Sequence, residues 1–179
     1  MLVVGDSLSA EYGLPFGSGW VAQLDKRLKA EKISARLVNA SISGDTTSGG
    51  KSRLASLLLQ HQPAVVIIEL GGNDGLRGLP LATIEENLRA MILAAKKARA
   101  KVLLAGIQMP PNYGAAYTSG FAAMYAKLAR ETKSSLVPFL LDGVAQRDDL
   151  FQPDRIHPTA QAQPLIAANV WPHLKPFLK

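Results

Sequence analysis

The chain has 179 residues, no cysteine and a formal net charge of +6. That length suits one domain with a sizeable core, while the missing cysteines exclude disulfides, thiolate metal sites and a cysteine nucleophile. The basic residues gather in helical stretches such as Lys96, Lys97, Arg99 and Lys101, and aromatic residues are only 6%; solvated helix faces are expected, not a nucleic-acid surface with its stacking platforms.

In chain order, Leu2 to Val4 form a short apolar run that ends in Gly5-Asp6-Ser7-Leu8, and Trp20, Val21, Leu24 and Leu28 then recur at helical spacing. A second strand is expected over Ala35 to Val38, followed by the small and polar run Asn39 to Thr46 and a helix carrying Leu54, Leu57 and Leu58. Ala64 to Ile68 give a third strand, which runs into Glu69-Leu70-Gly71-Gly72-Asn73-Asp74. Ile84, Leu88, Met91, Ile92 and Ala95 mark the next helix. Val102 to Ala105 are the fourth strand, Phe121, Met124, Tyr125 and Leu128 a helix, and Leu136 to Phe139 the fifth strand. A long loop holding Asp154-Arg155-Ile156-His157-Pro158 leads to a last helix with Leu165, Ile166, Val170 and Leu174.

Strands apolar on both faces and separated by single helices imply a parallel sheet covered on both sides. The expectation is one three-layer α/β domain over residues 1–179; in a five-strand order of 2-1-3-4-5 the first strand is interior and the fifth an edge. No apolar run reaches the length of a membrane span, so stable membrane insertion is not expected. Ligands of such sheets bind beyond the carboxyl ends of the strands, and that is where the small and polar residues collect.

Each of these segments has two readings. Ser7 is either a turn residue leaving a strand or a nucleophile, and no Gly-x-Ser-x-Gly elbow surrounds it. Asp154-x-x-His157-Pro158 is either a capped turn at the start of the last helix or an acid and base pair. Gly-Gly-Asn-Asp at 71–74 is either a tight turn or a source of an oxyanion donor, Asn73, with Gly44 offering a further N–H where a side chain would crowd the substrate. His61 and His173 read as surface or packing residues near helix ends. The loop carrying His157 must cross about three strand spacings, roughly 14 Å. Some dozen residues precede Asp154, so it reaches Ser7 with slack. Two rivals remain. Asp6, Asp74, Asp154 and His157 could hold a hard metal for hydrolysis, or the domain could bind a phosphate-bearing ligand without catalysis.

Taken together, Gly5-Asp6-Ser7-Leu8, Gly44, Gly71-Gly72-Asn73-Asp74 and Asp154-x-x-His157-Pro158 resemble the SGNH, or GDSL, hydrolases. The longer stretches Gly5 to Ala10, Leu70 to Gly78 and Pro111 to Gly114 are similar to the bacterial thioesterase I, lysophospholipase and arylesterase group, over nearly the whole chain. The resemblance implies a flavodoxin-like five-stranded sheet and a monomeric esterase acting on acyl esters and thioesters, with no metal or other cofactor. It implies Ser7 as nucleophile, His157 as base and Asp154 as its orienting acid, with the Ser7 N–H, Gly44 and Asn73 as the oxyanion hole. Members of that group carry a secretory leader ahead of the first strand, so the resemblance implies a start after a removed leader and a periplasmic location. For the substrate, the loops 75–80 and 109–113 flank the expected site, and Leu76, Gly78, Leu79, Pro110 and Tyr113 are the candidate walls of an acyl groove. A carbohydrate deacetylase would need a smaller, more polar pocket than these loops suggest.

Overall fold

The computed structural model describes residues Met1–Leu178. Five parallel strands stand in the order β2-β1-β3-β4-β5, as expected: β1 (Leu2–Gly5), β2 (Val38–Asn39), β3 (Val65–Glu69), β4 (Lys101–Ala105) and β5 (Ser135–Val137). The strand period of two sorts the core into halves. Leu2, Val4, Val66, Ile68, Val102 and Leu104 face one cluster, whereas Val3, Val65, Ile67, Leu103 and Ala105 face the other. The first cluster is covered by α2 (Thr47–His61), α4 (Leu81–Lys97) and α5 (Ala115–Thr132); the second by α1 (Trp20–Ala30) and α6 (Gln163–Leu174). Both faces of the sheet are thus sealed by apolar stripes, which is why its strands read as continuous hydrophobic runs.

Four local expectations are corrected. The second strand sits at Val38–Asn39 instead of Ala35 to Val38, because the chain after α1 is still turning, with Ile33 N–H on Leu28 O and Ala35 N–H on Ile33 O. The fifth strand stops at Val137, since Pro138 has no N–H for a ladder. Leu165 is exposed, leaving Ile166, Val170, Trp171 and Leu174 as the buried face of α6. Gly72–Leu76 form a five-residue helix, α3, where a plain turn was read.

Helix α3 matters because it carries Asn73, and it is pinned from α2. Thr47, fully buried at the start of α2, gives its N–H to one Asp74 oxygen at 2.9 Å and its hydroxyl to the other at 2.5 Å. The same hydroxyl accepts an amide hydrogen of Asn87 from α4 at 3.2 Å. Three helices, α2, α3 and α4, are therefore joined through one threonine. Thr47→Val keeps shape but removes that hydroxyl, and a buried bond to a carboxylate contributes about 1.5–3 kcal/mol. Urea unfolding is expected to show a loss in that range, and a change below about 0.5 kcal/mol would rule out the pin.

Candidate active site

Ser7 lies in a turn just beyond β1, where the Ser9 and Ala10 N–H groups both reach Asp6 O, at 3.2 and 2.9 Å. Its partner comes from the far end of the chain. Between β5 and α6 an isolated antiparallel bridge joins Phe151 to Pro158, and the Thr159 N–H donates to Leu150 O at 2.7 Å. The hairpin-like bend this closes holds Asp154 and His157. Asp154 Oδ1 accepts the Ile156 and His157 N–H groups at 2.9 and 3.0 Å, while its Oδ2 lies 2.6 Å from His157 Nδ1. His157 Nε2 lies 2.8 Å from Ser7 Oγ.

The contacts that the two readings of Asp-x-x-His-Pro call for are made by different oxygens of one carboxylate. One caps the turn and the other meets the imidazole. The capped turn does not open the last helix directly, because Ala160–Ala162 form a separate 3-10 turn before α6. The Asp154 carboxyl is held down to about 2, chiefly by the backbone N–H of His157 and then by the imidazole beside it. It is therefore an acceptor throughout the neutral range. In the matching tautomer Nδ1–H donates to Asp154 and Nε2 accepts from the serine hydroxyl.

Asn73 sits in the first turn of α3, and its Nδ2 donates to Asp6 Oδ2 at 3.0 Å and to Asp45 O at 2.9 Å. Gly44 stands beside Asp45 at φ +79° with open space where a side chain would project. Its backbone conformation by itself calls for glycine there. Among the described residues, neither the Ser7 nor the Gly44 N–H donates to another protein group. Arg53 braces this loop, with Nε and Nη2 at 2.8 and 2.7 Å from Asp45 Oδ2 and Nη1 on Ala40 O.

Beneath the serine lies a pair of carboxyls that sequence reading did not connect. Asp6, 2% exposed, accepts the Leu8 N–H at 3.0 Å and gives its own N–H to Glu69 Oε2 at 3.2 Å. Ser9 Oγ donates to the same Glu69 oxygen at 2.6 Å. Burial raises Asp6 to about 6, and burial together with the neighbouring Asp6 charge pushes Glu69 well above the carboxylate range. The one signal in sequence was an acidic residue at the end of each of two otherwise apolar strands.

A cavity of about 550 Å³ opens over these groups, lined by Asp6, Ser7, Asn73 and His157. Of the expected groove residues, Leu76 and Pro110 line it, and Gly78, Leu79 and Tyr113 do not. Leu79 packs against the core, its carbonyl accepting from the Tyr117 hydroxyl at 2.7 Å. Tyr113 stands behind the wall and donates its hydroxyl to Leu76 O at 3.0 Å. The opposite wall is built by Phe139, Leu141, Phe151 and Ile156. These were missed because the segment after β5 was read only for its reach. The rival set Asp6, Asp74, Asp154 and His157 is not gathered, since Asp74 is taken up by Thr47 and Asp154 by His157. Among the described residues no three His, Asp or Glu side chains stand close enough to share a metal ion.

Comparison with known proteins places this arrangement. The model of the GDSL-like Lipase/Acylhydrolase family matches residues 3–164. The chain is 53% identical to Esterase TesA of Pseudomonas aeruginosa over 178 residues, covering 99% of this chain and 89% of that one. It is 43% identical to Thioesterase 1/protease 1/lysophospholipase L1 of Escherichia coli K12, again over 178 residues, with 99% and 84% covered. The crystal structure of the psychrotrophic esterase EstA from Pseudoalteromonas sp., inhibited by monoethylphosphonate, superimposes with a TM-score of 0.94 at 41% identity, covering 99% of this chain and 97% of that one. Matched over most of its length, and with its four sequence blocks meeting at one end of the sheet, the chain belongs to the GDSL-like lipase/acylhydrolase family.

Proposed function

We propose that this enzyme hydrolyses acyl esters and thioesters through an acyl-enzyme on Ser7. The observation that carries the reading is the unbroken line from Asp154 through His157 to Ser7, at 2.6 and 2.8 Å. Such a line is what a weak hydroxyl nucleophile needs: a base in contact and a third group fixing that base's tautomer. In acylation Ser7 Oγ attacks the acyl carbonyl while its proton passes to His157 Nε2. The imidazolium, balanced by ionised Asp154, then gives the proton to the departing alcohol or thiol. Water enters, loses a proton to Nε2 and displaces Ser7 Oγ, so the acid leaves and the enzyme is restored.

Charge on the carbonyl oxygen falls to the Ser7 and Gly44 N–H groups and the Asn73 amide. The two backbone donors are free of protein acceptors, and Asn73 is held with its NH₂ end inward by Asp6 and Asp45 O. The apolar wall of Leu76, Met109, Pro110, Phe139 and Leu141 suits an acyl chain better than a sugar. The names of the relatives, an esterase and a thioesterase/lysophospholipase, point to the same substrate class. Every residue of the site comes from this one chain, in keeping with a single domain acting as a monomer. A periplasmic location belongs to the same reading, through the likeness to a group with secretory leaders.

Ser7→Ala is expected to fold normally yet lose about four to six orders of magnitude in kcat. A fluorophosphonate probe should add its mass to Ser7 in the wild type and nowhere in the variant. More than a tenth of wild-type turnover in Ser7→Ala would exclude the assignment.

Asn73→Ala should lower kcat about 10²–10³-fold with little change in KM, because the donor acts on charge developed in the transition state. A rise in KM at constant kcat would assign Asn73 to substrate binding instead.

The walls separate two leucines. Leu76→Ala should weaken the gain in kcat/KM with each added acyl carbon, about 0.8 kcal/mol per buried methylene. Leu79→Ala, which opens the core, should lower the melting temperature and touch all chain lengths alike. Steady-state kinetics over an acyl series decide this, and matching profiles for the two variants would remove Leu76 from the groove.

A further inference from the structure

The segment 150–158 is a unit closed upon itself. Besides the Phe151–Pro158 bridge, the Gln152 N–H donates to His157 O at 2.8 Å and the Arg155 N–H to Gln152 O at 2.9 Å. Asp154 moves with His157, so acid and base stay in register whatever this unit does. Their register to Ser7 is a different matter. It depends on contacts between this unit and the loop after β1, whose residues lie some 150 positions away in sequence.

Among the described residues, two hydrogen bonds join residues 5–19 to residues 150–158. One is Ser7 Oγ to His157 Nε2, which the reaction itself consumes. The other runs from Gln152 Nε2 to Tyr12 O at 2.9 Å, while the same amide also reaches Pro158 O, next to His157, at 3.2 Å. The Tyr12 ring lies against the imidazole, with centroids 4.4 Å apart. Gly13 makes room for this strap: a Cβ there would fall 2.1 Å from Gln152 Oε1, and its φ is +69°.

We infer that Gln152 is a positioning residue for deacylation, holding His157 in register once Ser7 no longer can. The inference rests on the acyl-enzyme route proposed above. During acylation the serine hydroxyl is its own tether, bonded to Nε2 until the proton transfers. In the acyl-enzyme Ser7 Oγ is esterified, has no hydrogen to give, and the first bond is gone. His157 Nε2 must then accept a proton from water as the water oxygen bonds to the acyl carbon. On collapse the Ser7 Oγ–C bond breaks and Nε2 returns the proton to Oγ. Throughout that half-reaction the Gln152 amide is the hydrogen bond that still spans the two loops, with Tyr12 stacked between.

The test is stopped-flow and steady-state kinetics with a 4-nitrophenyl acyl ester, on wild type, Gln152→Met and Gly13→Ala. Methionine keeps the volume and removes both donors; alanine at 13 displaces the amide without deleting it. Misplacing the base by about 1 Å costs on the order of a hundredfold, so kcat should fall about 10- to 100-fold. KM should fall in proportion and kcat/KM stay within about twofold, because acylation is untouched. A nitrophenolate burst equal to the enzyme concentration and an intact mass raised by the acyl group should accompany the slow step. A purely structural role would lower the melting temperature and reduce kcat and kcat/KM together, without a burst; that result, or unchanged kinetics in both variants, overturns the inference. If acyl mass never appears on Ser7 in any form of the enzyme while Ser7→Ala remains active, the acyl-enzyme reading itself fails.

Discussion

A carboxyl group buried under the Ser7 turn ties the strand ends of this protein together. Asp6 is 2% exposed, and a charge so placed is tolerated only when its oxygens are bonded. One oxygen takes the N–H of Leu8, which shapes the turn after β1; the other takes the Asn73 amide, which docks α3 against it. Its own N–H reaches Glu69 at the end of β3. Burial raises the Asp6 carboxyl to about 6, and burial together with the Asp6 charge raises Glu69 well above its ordinary value. The site is therefore built on a buried acidic acceptor at one defined point, toward which Asn73 turns its donor end.

Acid and base three residues apart have a second structural effect. One oxygen of Asp154 fixes the backbone of the bend that presents His157, and the other fixes the ring. The same ion thus sets both main-chain and side-chain geometry, which lets a surface loop hold the proposed acid and base without the rigidity of a helix or strand. The serine, by contrast, sits in an unstrained turn with negative φ rather than on a sharp elbow.

Much of this was legible in the residues. Leu2, Val4, Ile67 and Leu103 announce strands buried on both faces, whereas the order 2-1-3-4-5 came with the family resemblance and matches the sheet. Ser7, Asn73, Asp154 and His157 are singly ordinary turn or cap residues and were legible only as a set, because the segments that carry them all follow strands and collect at one end of the sheet. What stayed hidden depends on contacts with no local pattern. Gln152 is an ordinary polar residue in sequence, and its role in the fold comes from where Tyr12 happens to lie. Leu76 and Leu79 belong to one short apolar stretch, and only packing sends the first to the cavity and the second to the core. Leu165 shares the period of its helix but falls on the outer edge of the stripe.

The amide of Asn73 leads to one more consequence. At rest both of its hydrogens are occupied, one by the Asp6 carboxylate and one by the Asp45 carbonyl. The proposed oxyanion donor therefore has an internal competitor, a peptide carbonyl that accepts more strongly than an ester's. A bound substrate gains nothing by exchanging one for the other, so the donor has no reason to leave Asp45 in the ground state. A tetrahedral oxygen bearing full charge is the stronger acceptor and displaces it. In the proposed oxyanion hole this one donor thus responds to charge, staying on Asp45 with the reactant and turning to the intermediate, while the Ser7 and Gly44 N–H groups are open to both; its selectivity lies in a bond the enzyme makes to itself.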